Sequence, residues 1–137
     1  MKQATFSLKE YKFNKVSLDL SDLTPEDTLN IDLIPSGRFI QNEQKFVLNF
    51  LFVADVEKES ARRVVEVNCT ASFIFKDNVS FDEIPSYFYS NSIAIVFPYI
   101  RAFISTLTLQ ANYAPIMLPT MNLMDLNERL KESVTIE

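Results

Sequence analysis

From Ile84 to Met124 the sequence carries a single charged side chain, Arg101, although Asp, Glu, Lys and Arg make up 23% of the 137 residues. A run this poor in charge has to be covered. Within it, Ile93, Val96, Phe97, Ile100, Ile104 and Leu107 recur at helical spacing and predict one apolar stripe. Ile95, Tyr99 and Phe103 form a second stripe, displaced around the same helix. One stripe suffices for a helix lying on a sheet. Two stripes predict cover on a second side, which a chain of this size supplies by meeting another copy of itself. An oligomer interface is therefore expected at Ile95, Tyr99 and Phe103.

The same run reads poorly as a membrane span. Pro98, Arg101 and repeated Ser, Thr and Gln interrupt it before about 18 apolar residues accumulate. Met1 to Thr5 lead into alternating polar and apolar residues without the apolar core of a secretory signal. The one cysteine, Cys69, excludes an internal disulfide and fits a reducing compartment, so a cytoplasmic protein is expected. The net charge of −5 argues against nucleic acid, whose phosphates call for a cationic surface. Arg62-Arg63, the only adjacent basic pair, sits among Glu57, Glu59 and Glu66 and reads as a solvated hairpin tip.

Two absences narrow the chemistry further. There is no histidine, the commonest proton shuttle near neutral pH and the commonest zinc ligand. The only glycine is Gly37, which excludes phosphate-binding glycine loops. Cys69 shares the parity of Val65, Val67 and Ala71 and is expected in the core. Asp82-Glu83 and Glu57 with Glu59 lack any converging partner in sequence and read as solvated loop charge. No enzyme activity, metal or cofactor is expected.

Strand patterning fills the first half of the chain. Phe6 and Leu8 share one parity, Tyr11 and Phe13 the other, and Val16, Leu18 and Leu20 return to the first, which predicts a bulge or bend near Glu10 or Asn14. Residues 21–27 carry turn and cap residues and predict a loop. Leu29, Ile31 and Leu33 mark a short second strand ending at Pro35-Ser36-Gly37. A third, from Phe46 to Ala54, is apolar on both faces and so central; a fourth alternates from Val65 to Phe75. A first helix is expected from about Ser86 to Asn112, kinked or broken at Pro98, and a short second one from about Asn122 to Lys131. The expectation is a single α+β domain over residues 1–137, a four-stranded antiparallel sheet followed by two helices on one face.

Between the helices, Tyr113, Ile116, Met117, Leu118, Met121, Leu123 and Met124 lie in or beside a loop bounded by Pro115 and Pro119. Half of these are expected to tuck the second helix onto the sheet. The rest suit a surface for apolar polypeptide, because methionine is flexible and polarisable and adapts to many shapes.

The order Phe97-Pro98-Tyr99-Ile100-Arg101, Ile104-Ser105-Thr106-Leu107-Thr108, Pro115-Ile116-Met117-Leu118-Pro119 and Asn122-Leu123 resembles the C-terminal half of the SecB protein-export chaperones. The resemblance is clear over residues 93–126 and reduces to strand pattern upstream. Leu123 stands where the family usually has Phe, and Asn127-Glu128-Arg129 is more polar than is common there.

The resemblance implies an ATP-independent holdase for unfolded polypeptides or preproteins. It also implies a homotetramer, a dimer of dimers with first helices sandwiched between two eight-stranded sheets. By position, Leu20 and Leu23 match the crossover loop, and Met117, Leu118, Met121, Leu123 and Leu126 the groove wall. Asp19 and Glu66 fall at positions for docking the SecA motor, but Lys15 replaces an expected acid and only seven residues follow Leu130. These departures leave open a solitary SecB-like chaperone that guards the antitoxin of a toxin–antitoxin system. A small carrier enclosing one apolar ligand is a further alternative.

Overall fold

A computed structural model describes residues 5–57, 62–118 and 122–137. Strand β1 (Phe6–Leu18) contains two register shifts against β4 (Arg62–Phe75), one between Leu8 and Glu10 and one between Phe13 and Lys15. Each extra residue switches parity once. The first therefore brings Tyr11 and Phe13 onto the face of Phe6 and Leu8, and the second returns Val16 and Leu18 to it, as the alternating parities of the sequence require.

With β2 (Leu29–Ile40) and β3 (Lys45–Val56) the sheet runs β1-β4-β3-β2, all antiparallel and with β3 in the interior. Two features differ from expectation. Strand β2 does not stop at Pro35 but pairs with β3 through to Ile40. Proline is tolerated because, among the described residues, β2 has no neighbour on its other side at that point, so no ladder partner loses a donor. The second difference is a fifth strand, β5 (Thr135–Ile136), parallel to β2 at Arg38 and Phe39. Two residues carry too little periodicity to be read from sequence. The strand is fixed instead by Glu137 N donating to the Phe39 carbonyl (2.8 Å) and by the Arg38–Glu137 ion pair (3.0 Å).

Helix α1 (Ser86–Gln110) crosses β1 and β4, and helix α2 (Leu123–Ser133) covers β2, both on the same face of the sheet. Ring packing anchors α1: Phe88 lies within 4.7–5.7 Å of Phe6, Phe46, Phe73, Phe75 and Tyr89. The stripe of Ile93, Val96, Ile100 and Ile104 is buried beside them. The helix is long and apolar enough to cross a membrane by length and composition, yet this face of it is seated on the sheet. It continues unbroken through Pro98; the carbonyl of exposed Ala94, which loses its helical donor there, is left to water. Asn112 ends it in the left-handed region (φ 67°), where Tyr113 N returns to the Thr108 carbonyl at 3.1 Å. Asn122 starts α2 by accepting from Met124 N (3.1 Å) and Asp125 N (3.4 Å). Leu126 and Leu130 of α2 are buried on β2.

Candidate functional site

The bend after β1, the first residues of β2 and the loop after α1 enclose an open groove of about 570 Å³. Leu23, Pro25, Leu29 and Ile31 form one side; Tyr113, Pro115, Ile116 and Met117 form the other. Thr24, Asp27 and Asn112 add polar rims but no charge pair.

Both loops are held locally. On the first, Leu23 N donates to the Leu20 carbonyl (3.1 Å) while the Leu20 side chain is buried below. Thr24 N donates to Asp27 Oδ2 (2.8 Å) and Asp27 N to the Thr24 carbonyl (3.0 Å), which closes the turn around Pro25. On the second, the wholly buried Thr108 hydroxyl accepts from Ile116 N (3.0 Å) and donates to the Ile104 carbonyl (3.0 Å). Ser105 Oγ donates to the Ile116 carbonyl at 3.2 Å. The Ile-Ser-x-Leu-Thr segment thus reads as the hook that fixes the loop backbone to α1. Ile116 and Leu118 plug inward and leave Met117 outward, 70% exposed.

The structure brings Leu23 and Met117 to the groove and places Leu20, Leu118 and Leu126 in the core. Met121 lies outside the described residues, as do the side chain of Leu123 and the loop residue Glu59. Met124 stands 72% exposed on the first turn of α2. Pattern reading missed Leu29 and Ile31 as groove walls. Their alternation marks a strand face bound for the core, and nothing local says that α2 begins too late to cover it.

Along α1, Tyr99 (41% exposed) stacks on Tyr11 of β1, centroids 4.3 Å apart, and Phe103 stacks on Phe13 at 4.0 Å. The second stripe therefore has partners in its own sheet along one flank. Its outer flank remains open: Ile95 is 37% exposed, and Tyr87, Ala94, Pro98, Ala102 and Leu109 are exposed beside it. Arg101, the one charge on the helix, stands over the Phe97 ring at 5.7 Å.

Of the two outer acids, Asp19 accepts from Ser21 Oγ (2.7 Å) and Ser21 N (3.2 Å), which lowers its pKa. Glu66 is clasped by Lys15 (2.5 Å) and Arg63 (2.6 Å), and both hold its carboxyl below the usual range. Arg63 also reaches Asp55 at 2.9 Å. The middle of that outer face is neutral, a ladder of Asn14, Asn49, Asn68 and Thr70 linked at 2.8–3.3 Å. Cys69 is buried, and desolvation pushes its thiol up to about 11, far from a nucleophile. Among the described residues no three His, Cys, Asp or Glu side chains gather as a metal site.

Residues 6–133 match the family model described as preprotein translocase subunit SecB. The chain belongs to the SecB family. An uncharacterized protein of Methanocaldococcus jannaschii is 27% identical to this SecB-family chain over 135 residues, covering 95% of it and 87% of the relative. The fold matches the SecB-like chaperone Rv1957 of Mycobacterium tuberculosis, solved in complex with a ChAD peptide from the Rv1956 HigA1 antitoxin. That match has a TM-score of 0.67 and 15% identity, and covers 85% of this chain and 88% of the other. The four antiparallel strands and two helices expected from sequence are thus those of a SecB fold, here with β5 added.

Proposed function

We propose that this SecB-family protein is an ATP-independent holdase that takes unfolded segments of other polypeptides into the groove between Leu23, Ile31 and Met117. The observation that carries the reading is the groove's wall: an exposed methionine, two prolines and aliphatic side chains around an open space of about 570 Å³. Such a wall yields to many apolar shapes and demands no particular one. Met124, 72% exposed on the first turn of α2, adds a second adaptable apolar side chain at the surface. The one thiol, buried and held protonated, offers no nucleophile to the groove. A single cysteine and an acidic, histidine-free chain suit the cytoplasm.

The working form is a homotetramer. The uncharged outer flank of α1 around Ile95 and Tyr99 supports it, since water-facing helices seldom go this long without charge. The edge of β1 supports it too, being thirteen residues long and unpaired among the described residues. Several grooves on one assembly hold one client by avidity although each contact is weak. A carrier of one small ligand would need a closed cavity, whereas this groove is partly open.

Between export and toxin–antitoxin duty, the clasp of Lys15 and Arg63 on Glu66 favours the solitary chaperone. An acid neutralised within its own sheet offers little to the SecA motor. The antitoxin peptide bound by the mycobacterial SecB-like chaperone points the same way. The test is aggregation of a chemically denatured protein on dilution. Suppression at about one tetramer per client without nucleotide is expected; a monomer that leaves light scattering unchanged would end this reading.

A further inference from the structure

The outer edge of β2 is closed along most of its length and open at the groove. In an extended strand the N–H and C=O of one residue point to the same side and those of its neighbour to the other. The Thr28 carbonyl accepts from Glu57 N, next to β3, and the Phe39 carbonyl accepts from Glu137 N on the opposite side. Leu29, Ile31, Leu33, Pro35 and Phe39 therefore turn their backbone groups away from β3.

From Leu33 onward, Leu33 and Phe39 are closed by named groups and Pro35 offers no donor. Leu33 N donates to Asp32 Oδ1 at 2.9 Å. The Leu33 carbonyl accepts from Arg129 Nη1 of α2 at 3.1 Å, and the same nitrogen lies 3.4 Å from Asp32 Oδ1. Pro35 has no N–H, and β5 pairs at Arg38 and Phe39. Gly37, the one left, carries its closest packing on the sheet's helix side, against Phe46 and Leu130. At Leu29 and Ile31, by contrast, no strand among the described residues pairs with β2 on that side, and both residues line the groove.

We propose that an extended segment of an unfolded polypeptide adds to β2 as a short strand at Leu29 and Ile31, and that Arg129, held by Asp32, is the stop that limits its length. The inference rests on the holdase reading above and gives it a geometry. An unfolded chain is the fitting occupant because it carries unpaired backbone donors and acceptors in sequence to match those of the edge, with side chains free to fill the groove. Its alternate side chains would fall toward Leu23 and Met117, while the others face water. To run past Ile31 the guest would have to displace the Arg129 hydrogen bond and leave the Leu33 carbonyl without its donor. About four guest residues, roughly 13 Å, fit before the stop. Arg129 is thus a positioning residue for guest length rather than a general anchor.

The probes are a fluorescent apolar peptide of about seven residues, its counterpart N-methylated at alternate backbone nitrogens, and an unmethylated peptide of about eleven. The methylated peptide keeps every side chain but cannot donate to the edge. Wild-type protein is expected to bind it about tenfold or more weakly than the plain peptide, the scale of losing a few backbone hydrogen bonds. Equal affinity would overturn strand addition while leaving groove binding intact. Failure to bind either short peptide would overturn both this inference and the holdase reading. For the stop, wild type should gain nothing from the longer peptide, and Arg129→Ala, checked for an unchanged far-UV spectrum, should gain severalfold. A length gain already present in wild type, or none in a folded Arg129→Ala, would remove Arg129 from its assigned role.

Discussion

The ring of Tyr99 on α1 lies over the ring of Tyr11 on β1, with centroids 4.3 Å apart and planes 22° from parallel. Tyr11 reaches that position because the irregularity between Leu8 and Glu10 switches the parity of β1 before it. One face of each ring is thereby covered within the protomer, and about two-fifths of each side chain stays open. With Ile95 they form an aromatic and aliphatic strip between the edge of β1, unpaired among the described residues, and the outer flank of α1.

Tyr99→Asp is expected to split the assembly, because it places a carboxylate on a face that has to lose its water on association. Its intramolecular cost is limited to the lost stack, about 1 kcal/mol. Sedimentation velocity should show a smaller species than wild type, and circular dichroism an unchanged fold. A variant that sediments with wild type would show that the strip is not shared.

Gly37→Ala tests the packing of α2 on β2. A Cβ at that position would stand 2.5 Å from Phe46 Cζ and 3.2 Å from Leu130 Cδ1, both side chains fully buried. Overpacking of this kind costs about 1–3 kcal/mol. The urea midpoint should fall accordingly with little change in slope.

Much of this was readable from periodicity, and the remainder failed for identifiable reasons. The pattern of β4, the central place of β3 and the span of α1 follow from residue alternation and from a long apolar run, signals that depend only on near neighbours. The parity switches of β1 announced an irregularity; that there are two emerged only from its register with β4. Pro35 looked like a strand end because proline removes a donor, but on an unpaired edge that loss costs nothing. Leu20, Leu118 and Leu126 look in sequence like Leu23 and Met117. Which of them face the groove is decided by loop anchors such as Thr108–Ile116, formed between residues eight apart and invisible to a search for helix or strand repeats.

Glu66 gives a pH signature. Lys15 and then Arg63 lower its pKa in the folded protein, so the carboxylate contributes stability that is present above its unfolded value of about 4.5 and is lost as pH falls through the lower folded value. Thermal melts of wild type and Glu66→Gln should differ at neutral pH and converge in acid below that window. A gap that persists at the acid end would mean the ion pairs are not its source.

The Cys69 thiol, raised to about 11 by burial, should resist alkylation at pH 8 in the folded protein. Its labelling rate should rise only along the unfolding transition, as followed by mass spectrometry across a urea series. Rapid labelling of the native protein would place the thiol at the surface.

Leu23 packs partly against the core, yet with Met117 it lines the groove, and the central claim is that both meet an occupant there. Its most direct measurement is the aggregation of a denatured client, followed by light scattering, in the presence of wild type and of a Leu23→Glu/Met117→Glu variant matched for fold and sedimentation. The account predicts that wild type suppresses scattering without nucleotide and that the variant loses most of that effect while its melting temperature barely moves. Full suppression by the variant would contradict it.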